Sequence, residues 1–246
     1  MSAEVSDHTV TPDVFTASAE YDKRFAGDVG EYFLSVQWNA VLEHLKALNP
    51  DPASSCSILE VGGGHLQITA KLLELGHRVT VHASTEEALG KLRSGPLAGR
   101  VATLVSPLDA LSTISERYDI VIALRLIPHV KNEEELLASL VSLATRGVIF
   151  DFASTRGLNS LTKLTFGLKK KIEKNTRPYF NHSPSAMAAT LERLSCKQTS
   201  CKGQFVFPMG LHRALKNVPV SKQIETSVGF LQNSWGNPII CAARKV

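Results

Sequence analysis

Three consecutive glycines, Gly62, Gly63 and Gly64, follow an apolar run that ends at Glu60 and Val61, and a helix-like segment begins directly after them. Without Cβ atoms the main chain can pass within contact distance of a ligand, and the first N–H groups of the next helix are free to meet it. That is the chemistry of a nucleotide site. Glu60, two residues before the first glycine, adds a carboxylate that can order the loop and meet a cationic part of the ligand. Three histidines, His129, His182 and His212, fall in loop or cap positions where an imidazole could take a proton near neutral pH. His129 is the best placed, because it follows the fourth strand-like run at its carboxyl end.

These residues need a sheet to bring them together, and the chain supplies the pattern of one. Short apolar runs at Ser57–Val61, Arg78–His82, Val101–Val105, Asp119–Leu124 and Gly147–Phe152 alternate with amphipathic segments at Leu66–Leu75, Glu86–Leu92 and Glu133–Ala144. Alternation of this kind predicts βαβ units and a parallel sheet, with ligands beyond the carboxyl ends of the strands. Asn49–Ser55, with two prolines, separates the first strand from a helical arm around Gly30–Leu48, whose Leu34, Trp38, Val41, Leu42 and Leu45 form one apolar stripe. After Phe152 the alternation stops. A helix is expected at Ser185–Leu194 and two further strands at Gln204–Phe207 and Pro238–Arg244, the last two separated by an insertion at Met209–Asn237. Long insertions in compact domains usually carry function.

The loop discriminates between two kinds of nucleotide site. A dinucleotide fingerprint needs a third glycine after two intervening residues, where this chain has His65, Leu66 and Gln67. The order Glu60-Val61-Gly62-Gly63-Gly64 instead resembles the acidic glycine loop of the class I S-adenosylmethionine-dependent methyltransferases, small-molecule type. The likeness runs over roughly Ser57–Phe152 and includes VTVHASTEEALGKL at the second strand and YDIVIALRLIPHVKNEEELL at the fourth. It implies an α/β, three-layer Rossmann-like fold: a mostly parallel seven-stranded sheet, an antiparallel last strand, and helical lid and cap insertions. Residues 1–50 would be the arm or lid and 51–246 the methyltransferase domain, with cap insertions at about 153–184 and 208–237. Carried over by position, Glu60, Gly62, Gly63 and Gly64 would hold the methionine and ribose part of S-adenosylmethionine, and Leu124 and Arg125 would line the floor beneath the sulfonium. His82 stands where the family has the acidic residue that meets the ribose hydroxyls, and Ser106 where an acidic residue often meets the adenine. Those two departures fall on the sugar and base.

Methyl transfer from a sulfonium gains most from holding nucleophile, methyl and sulfur collinear and dry, so a base is optional. For a phenol or enol acceptor His129 would serve as one. Tyr21 and Arg24 in the arm, Tyr179 and His182 before the Ser185–Leu194 helix, and His212 and Arg213 in the late insertion are the pocket candidates. Such an aromatic and cationic wall suits an aromatic, anionic or lipid-like acceptor. Leu158–Lys174 places five lysines around an apolar face and is a candidate for peripheral contact with an anionic membrane. O-methylation is expected ahead of N- or C-methylation.

Composition limits the alternatives. With 246 residues, 43% hydrophobic and 20% charged, the chain has the size and make-up of one large globular domain, or of a small domain carrying an elaborate cap. A net charge of +4, with basic residues in one short segment, argues against a nucleic-acid partner. The four cysteines are too few and scattered for a disulfide framework and lack metal-finger spacing, so a cytoplasmic, reducing setting without a metal is expected. No signal-peptide pattern and no spanning apolar run are present. Two other readings stay open: an NADP-dependent oxidoreductase, favoured slightly by the missing carboxylate with His82 and Arg78 nearby, and a methyltransferase-fold binding protein without turnover.

Overall fold

A computed structural model describes residues 11–51, 53–160 and 179–246. The N-terminal part forms two short helices, α1 (Pro12–Thr16) and α2 (Ala19–Asp22), and one long helix, α3 (Gly27–Leu48). The alternating region follows as β1 (Ser57–Val61), α4 (Thr69–Glu74), β2 (Arg78–Ala83), α5 (Gly90–Ser94), β3 (Ala102–Val105), β4 (Tyr118–Ala123), α6 (Glu133–Leu143) and β5 (Ala144–Ser154). Then come β6 (Asn181–His182), α7 (Pro184–Arg193), β7 (Cys196–Phe205), α8 (Met209–Leu215), α9 (Val218–Ser227), α10 (Gln232–Trp235) and β8 (Asn237–Lys245).

Seven strands lie in the order β3-β2-β1-β4-β5-β8-β7, and the two-residue β6 pairs with the end of β5. β8 runs antiparallel to both of its neighbours, as expected of the last strand. Strand order reverses between β1, which continues to β2 and β3, and β4, which continues to β5. The ends of β1 and β4 therefore form the crevice where such sheets take ligands.

Alternation along the strands divides the core. Leu59, Val61, Val121, Ala123, Val148 and Phe150 face α6 and α7, whereas Ile58, Ile120, Ile122 and Ile149 face α3, α4 and α5. Three layers result. The apolar stripe of α3 packs through Val41, Leu45 and Leu48 into the second of these cores, so the long helix is itself a covering layer of the sheet. Within the arm, the chain before α3, residues 12–25, is the part that meets the glycine turn and the end of β2. A third cluster, of Tyr21, Phe25, Val29, Phe33 and Phe205 with Met209 and Val218, joins the arm to the late insertion.

Local structure departs from expectation in three places. The helix after the glycines starts only at Thr69, because residues 63–65 make a tight 3-10 turn and Leu66 adopts a left-handed conformation. β7 begins eight residues earlier than its apolar tail suggests; its first half is a polar edge strand that periodicity could not mark. Cys201 and Cys241, directly opposite on β7 and β8, form a disulfide with 4.1 Å between Cα atoms, a single cross-strand bridge that the cysteine spacing did not indicate. Most of the basic Leu158–Lys174 segment, from residue 161 on, lies outside the described residues. Among those described, no helix is long and apolar enough to cross a membrane, and no cluster of metal-ligating side chains occurs.

Candidate functional site

β1 delivers Glu60 and the glycine turn to the crevice. Glu60 is 1% exposed; Thr69 donates its hydroxyl to Oε2 at 2.6 Å, and Oε1 has no partner among the described residues. Burial pushes this carboxyl up to about 8, against the lowering effect of the Thr69 hydrogen bond. Gly62 sits at φ +66°, a left-handed conformation that glycine adopts without a Cβ penalty. Each glycine of the turn also lies close against the protein itself. A Cβ at Gly62 would meet the Leu126 side chain at 2.8 Å, at Gly63 the Glu60 side chain at 2.7 Å, and at Gly64 the Ala88 carbonyl oxygen at 2.1 Å. His65, behind the turn, is buried and accepts from the Gln67 N–H; burial first, then Arg125 and Lys91, push it down to about 3, so it is neutral.

At the ends of β2 and β3 the arrangement is tied internally. His82 is fully buried and its Nε2–H meets the Ser106 carbonyl at 2.9 Å, with the Ser106 hydroxyl at 3.1 Å. Burial holds His82 below the ordinary histidine range. A carboxylate from α1 stands at the end of β2. Asp13 of α1, with no exposed surface, accepts from the main-chain N–H and the hydroxyl of Ser84, both at 2.6 Å. Thr11 adds a hydroxyl contact to Ser84 at 2.6 Å, and Ala17 closes against Gly64. α1 thus covers the space between the glycine turn and the end of β2.

The end of β4 carries a second unusual turn. Arg125 has φ +64°, and its main-chain N–H donates to Asp151 of β5 at 2.6 Å. Its guanidinium is spread over neutral partners: Nε–H donates to Gln67 at 2.9 Å, Nη2–H to Gln37, and Nη1–H to the Tyr21 hydroxyl at 3.5 Å, while the group lies 4.2 Å over the Phe25 ring. Asp151 is buried, and burial pushes its carboxyl up to about 6 despite the nearby Arg125 charge. Leu124 is buried directly below this turn, in the core shared with α3.

Of the six pocket candidates, Tyr21 and Tyr179 stand beside Arg125, and Arg24 and Arg213 lie next to them. The Arg24 guanidinium lies 5.1 Å over Tyr21 and 5.3 Å over Phe15, and Arg213 reaches the Arg24 carbonyl at 3.4 Å. Tyr179 is 51% exposed, yet its hydroxyl stands among Asp151, Tyr21, Arg125 and Arg24; burial, then the first two, push it up to about 12. The Tyr179 ring meets His129 edge-on at 5.4 Å between centroids, and the Phe180 N–H donates to the Pro128 carbonyl, fastening this segment to the end of β4.

The other two candidates are placed elsewhere. His212 is fully buried between Phe33 and Phe205, and its Nε2–H donates to Glu225 at 2.9 Å. Glu225 also accepts the N–H groups of Val206 and Phe207, so His212 fastens α8 and α9 to the end of β7. His182, on β6, faces Glu133 at 3.5 Å on the α6 side.

Asp13, Gln37, Gln67 and Asp151 complete the site and were not singled out from the sequence. Asp13 lies 71 residues from its partner with no periodic signal around it. Asp151 did carry a signal, since a carboxylate inside the otherwise apolar run Val148–Phe152 is costly to bury without a dedicated partner.

No family model and no curated protein sequence matches the chain. Solved structures match it in fold. Magnesium protoporphyrin IX methyltransferase from Synechocystis, with bound S-adenosylhomocysteine, is 17% identical over 94% of this chain and 97% of its own, with a TM-score of 0.64. Geranyl diphosphate C-methyltransferase from Streptomyces coelicolor is 14% identical over 93% and 82%, with a TM-score of 0.59. An S-adenosylmethionine-dependent methyltransferase from Mesorhizobium loti is 14% identical over 85% and 98%, with a TM-score of 0.56.

Proposed function

From the class I S-adenosylmethionine-dependent methyltransferase fold that this chain has, we propose that it transfers the methyl group of S-adenosylmethionine to a small organic acceptor. One observation carries the reading: a buried carboxylate, Glu60, with an unpartnered oxygen stands beside a left-handed glycine at the point where strand order reverses. The residue types fit the cofactor. Glu60 would meet the amino end of its methionine, while Ser84 and Ser106 offer hydroxyl groups at the sugar and base end. The sulfonium supplies an activated methyl group when bound. α1 closes the sugar side in the present arrangement, so the chain's own first task would be to move Asp13 off Ser84 and Ala17 off the glycine turn.

Arg125, held by Asp151 and by the two glutamines, fixes the β4 turn that orients the acceptor side, and Phe25 and Tyr21 keep that turn dry. We favour an oxygen as the atom methylated, because His129 is placed with its ring against Tyr179 where it could take a proton. The oxidoreductase reading loses its support: Arg78 starts β2 and so lies at the far end of the strand from the crevice, and His82 is buried against Ser106. The test is incubation with methyl-labelled S-adenosylmethionine and a fractionated small-molecule extract. Label in a low-mass product supports the proposal; label in no fraction, with the cofactor bound, would return the chain to a binding role.

A further inference from the structure

We infer that Arg24 and Arg213 form an anion-binding edge of the acceptor site, so that the acceptor carries a carboxylate or phosphate group. In calling the ligand an acceptor the inference rests on the methyl-transfer reading; the anion site itself does not. Among the described residues the exposed Arg24 and Arg213 have no carboxylate within 4 Å, as is also true of the neighbouring Arg125. The two are neighbours, with Arg213 Nη1–H 3.4 Å from the Arg24 carbonyl. Arg213 is pulled below the usual arginine range by burial first and by Arg24 second. Two guanidinium groups brought together from the arm and the cap without a counter-charge repel each other, and a shared anion removes that repulsion.

Both groups are also held in place. Arg24 lies over both the Phe15 and Tyr21 rings, which meet each other edge-on at 5.3 Å; Arg213 lies 6.0 Å over Phe33 with Nη1–H on the Arg24 carbonyl. Stacking on aromatic faces fixes the plane of a guanidinium and leaves its edge for a planar or tetrahedral anion. Tyr21 connects this edge to the reaction side, since its ring lies under Arg24 and its hydroxyl meets Arg125. An anionic group at Arg24 and Arg213 would therefore leave the body of the molecule running along Tyr21 toward Tyr179 and His129. Because one arginine comes from the arm and the other from the late insertion, the same anion would hold the two together over the crevice.

The experiment is calorimetric titration of the full chain at low salt with inorganic diphosphate and, separately, with benzoate, which distinguishes a phosphate from a carboxylate ligand. Arg24→Gln, Arg213→Gln and their double variant are compared with Arg93→Gln, whose side chain pairs with Glu86 outside the site. Saturable binding of at least one probe, weakened about tenfold or more in the double variant and unchanged in Arg93→Gln, is the expected result. Binding of neither probe, equal binding by the double variant, or equal weakening in Arg93→Gln overturns the inference. S-adenosylhomocysteine is titrated into the same samples. If it binds and no anion does, the inference alone falls; if an anion binds and it does not, the methyl-transfer reading falls and the anion site stands.

Discussion

Both carboxylate oxygens of Asp13 are bound by Ser84, one through its main-chain N–H and one through its hydroxyl. The contact fastens α1 across the end of β2, so under the proposed function the arm would be a cover that lifts to admit the cofactor. Asp13→Ala is expected to speed association of S-adenosylhomocysteine several-fold while lowering the thermal midpoint, since a buried pair of charge-assisted hydrogen bonds is lost. Stopped-flow fluorescence reads the first effect and calorimetry the second. An unaltered association rate would show that α1 does not stand in the way.

Glu60 provides a pH signature. Its carboxyl is pushed up to about 8 in the fold from 4.5, so between those values the native chain holds a proton that the unfolded chain has released. Stability from this group is therefore fully present below 4.5 and is lost progressively as pH rises to about 8. Glu60→Gln removes that loss. Thermal midpoints measured from about pH 4 to about pH 9 should show variant and parent agreeing at the acid end, with the variant more stable above about pH 7. Parallel curves would mean that Glu60 is already ionised.

Gly64 gives a prediction opposite to the simple reading of a glycine loop. A methyl group there would approach the Ala88 carbonyl oxygen at 2.1 Å, so Gly64→Ala should destabilise the fold by about 3 kcal/mol whether or not ligand is present. Chemical denaturation of the ligand-free variant measures this. A cost below about 0.5 kcal/mol would mean that the loop after β2 relaxes away from the turn.

Much of this arrangement was legible from residue order alone. Alternation of apolar runs marked β1, β2, β4 and β5 within a residue or three at each end, because buried parallel strands have a strong composition signal. The glycine turn and Glu60 were legible because ordinary strand-to-helix packing calls for neither three glycines in a row nor an acid at the end of an apolar strand. The first half of β7 was not, since Cys196–Ser200 is mostly polar and lacks the apolar run that marks a buried strand. His212 drew attention as a cap histidine, but its neighbour Phe33 lies far away in sequence, and only the folded chain shows it buried on Glu225. Asp13 illustrates the same limit: a side chain that completes a site from another element leaves no trace in the spacing of that site.

His129 is expected to matter for turnover and not for cofactor affinity. His129→Gln should lower the methyl-transfer rate about tenfold or more with S-adenosylhomocysteine affinity nearly unchanged, as for loss of a base. Rate measurements with the acceptor in hand, across roughly pH 5.5 to 9, separate this from a structural role. A folded variant with full turnover would assign His129 to packing against Tyr179.

Titration of the full, unmodified chain with S-adenosylhomocysteine in a calorimeter tests the central claim most directly. A single saturable site with micromolar or tighter affinity, paired with no detectable heat from NADP, is the predicted result. Absence of any S-adenosylhomocysteine binding, in the parent chain and in Asp13→Ala alike, would contradict the account.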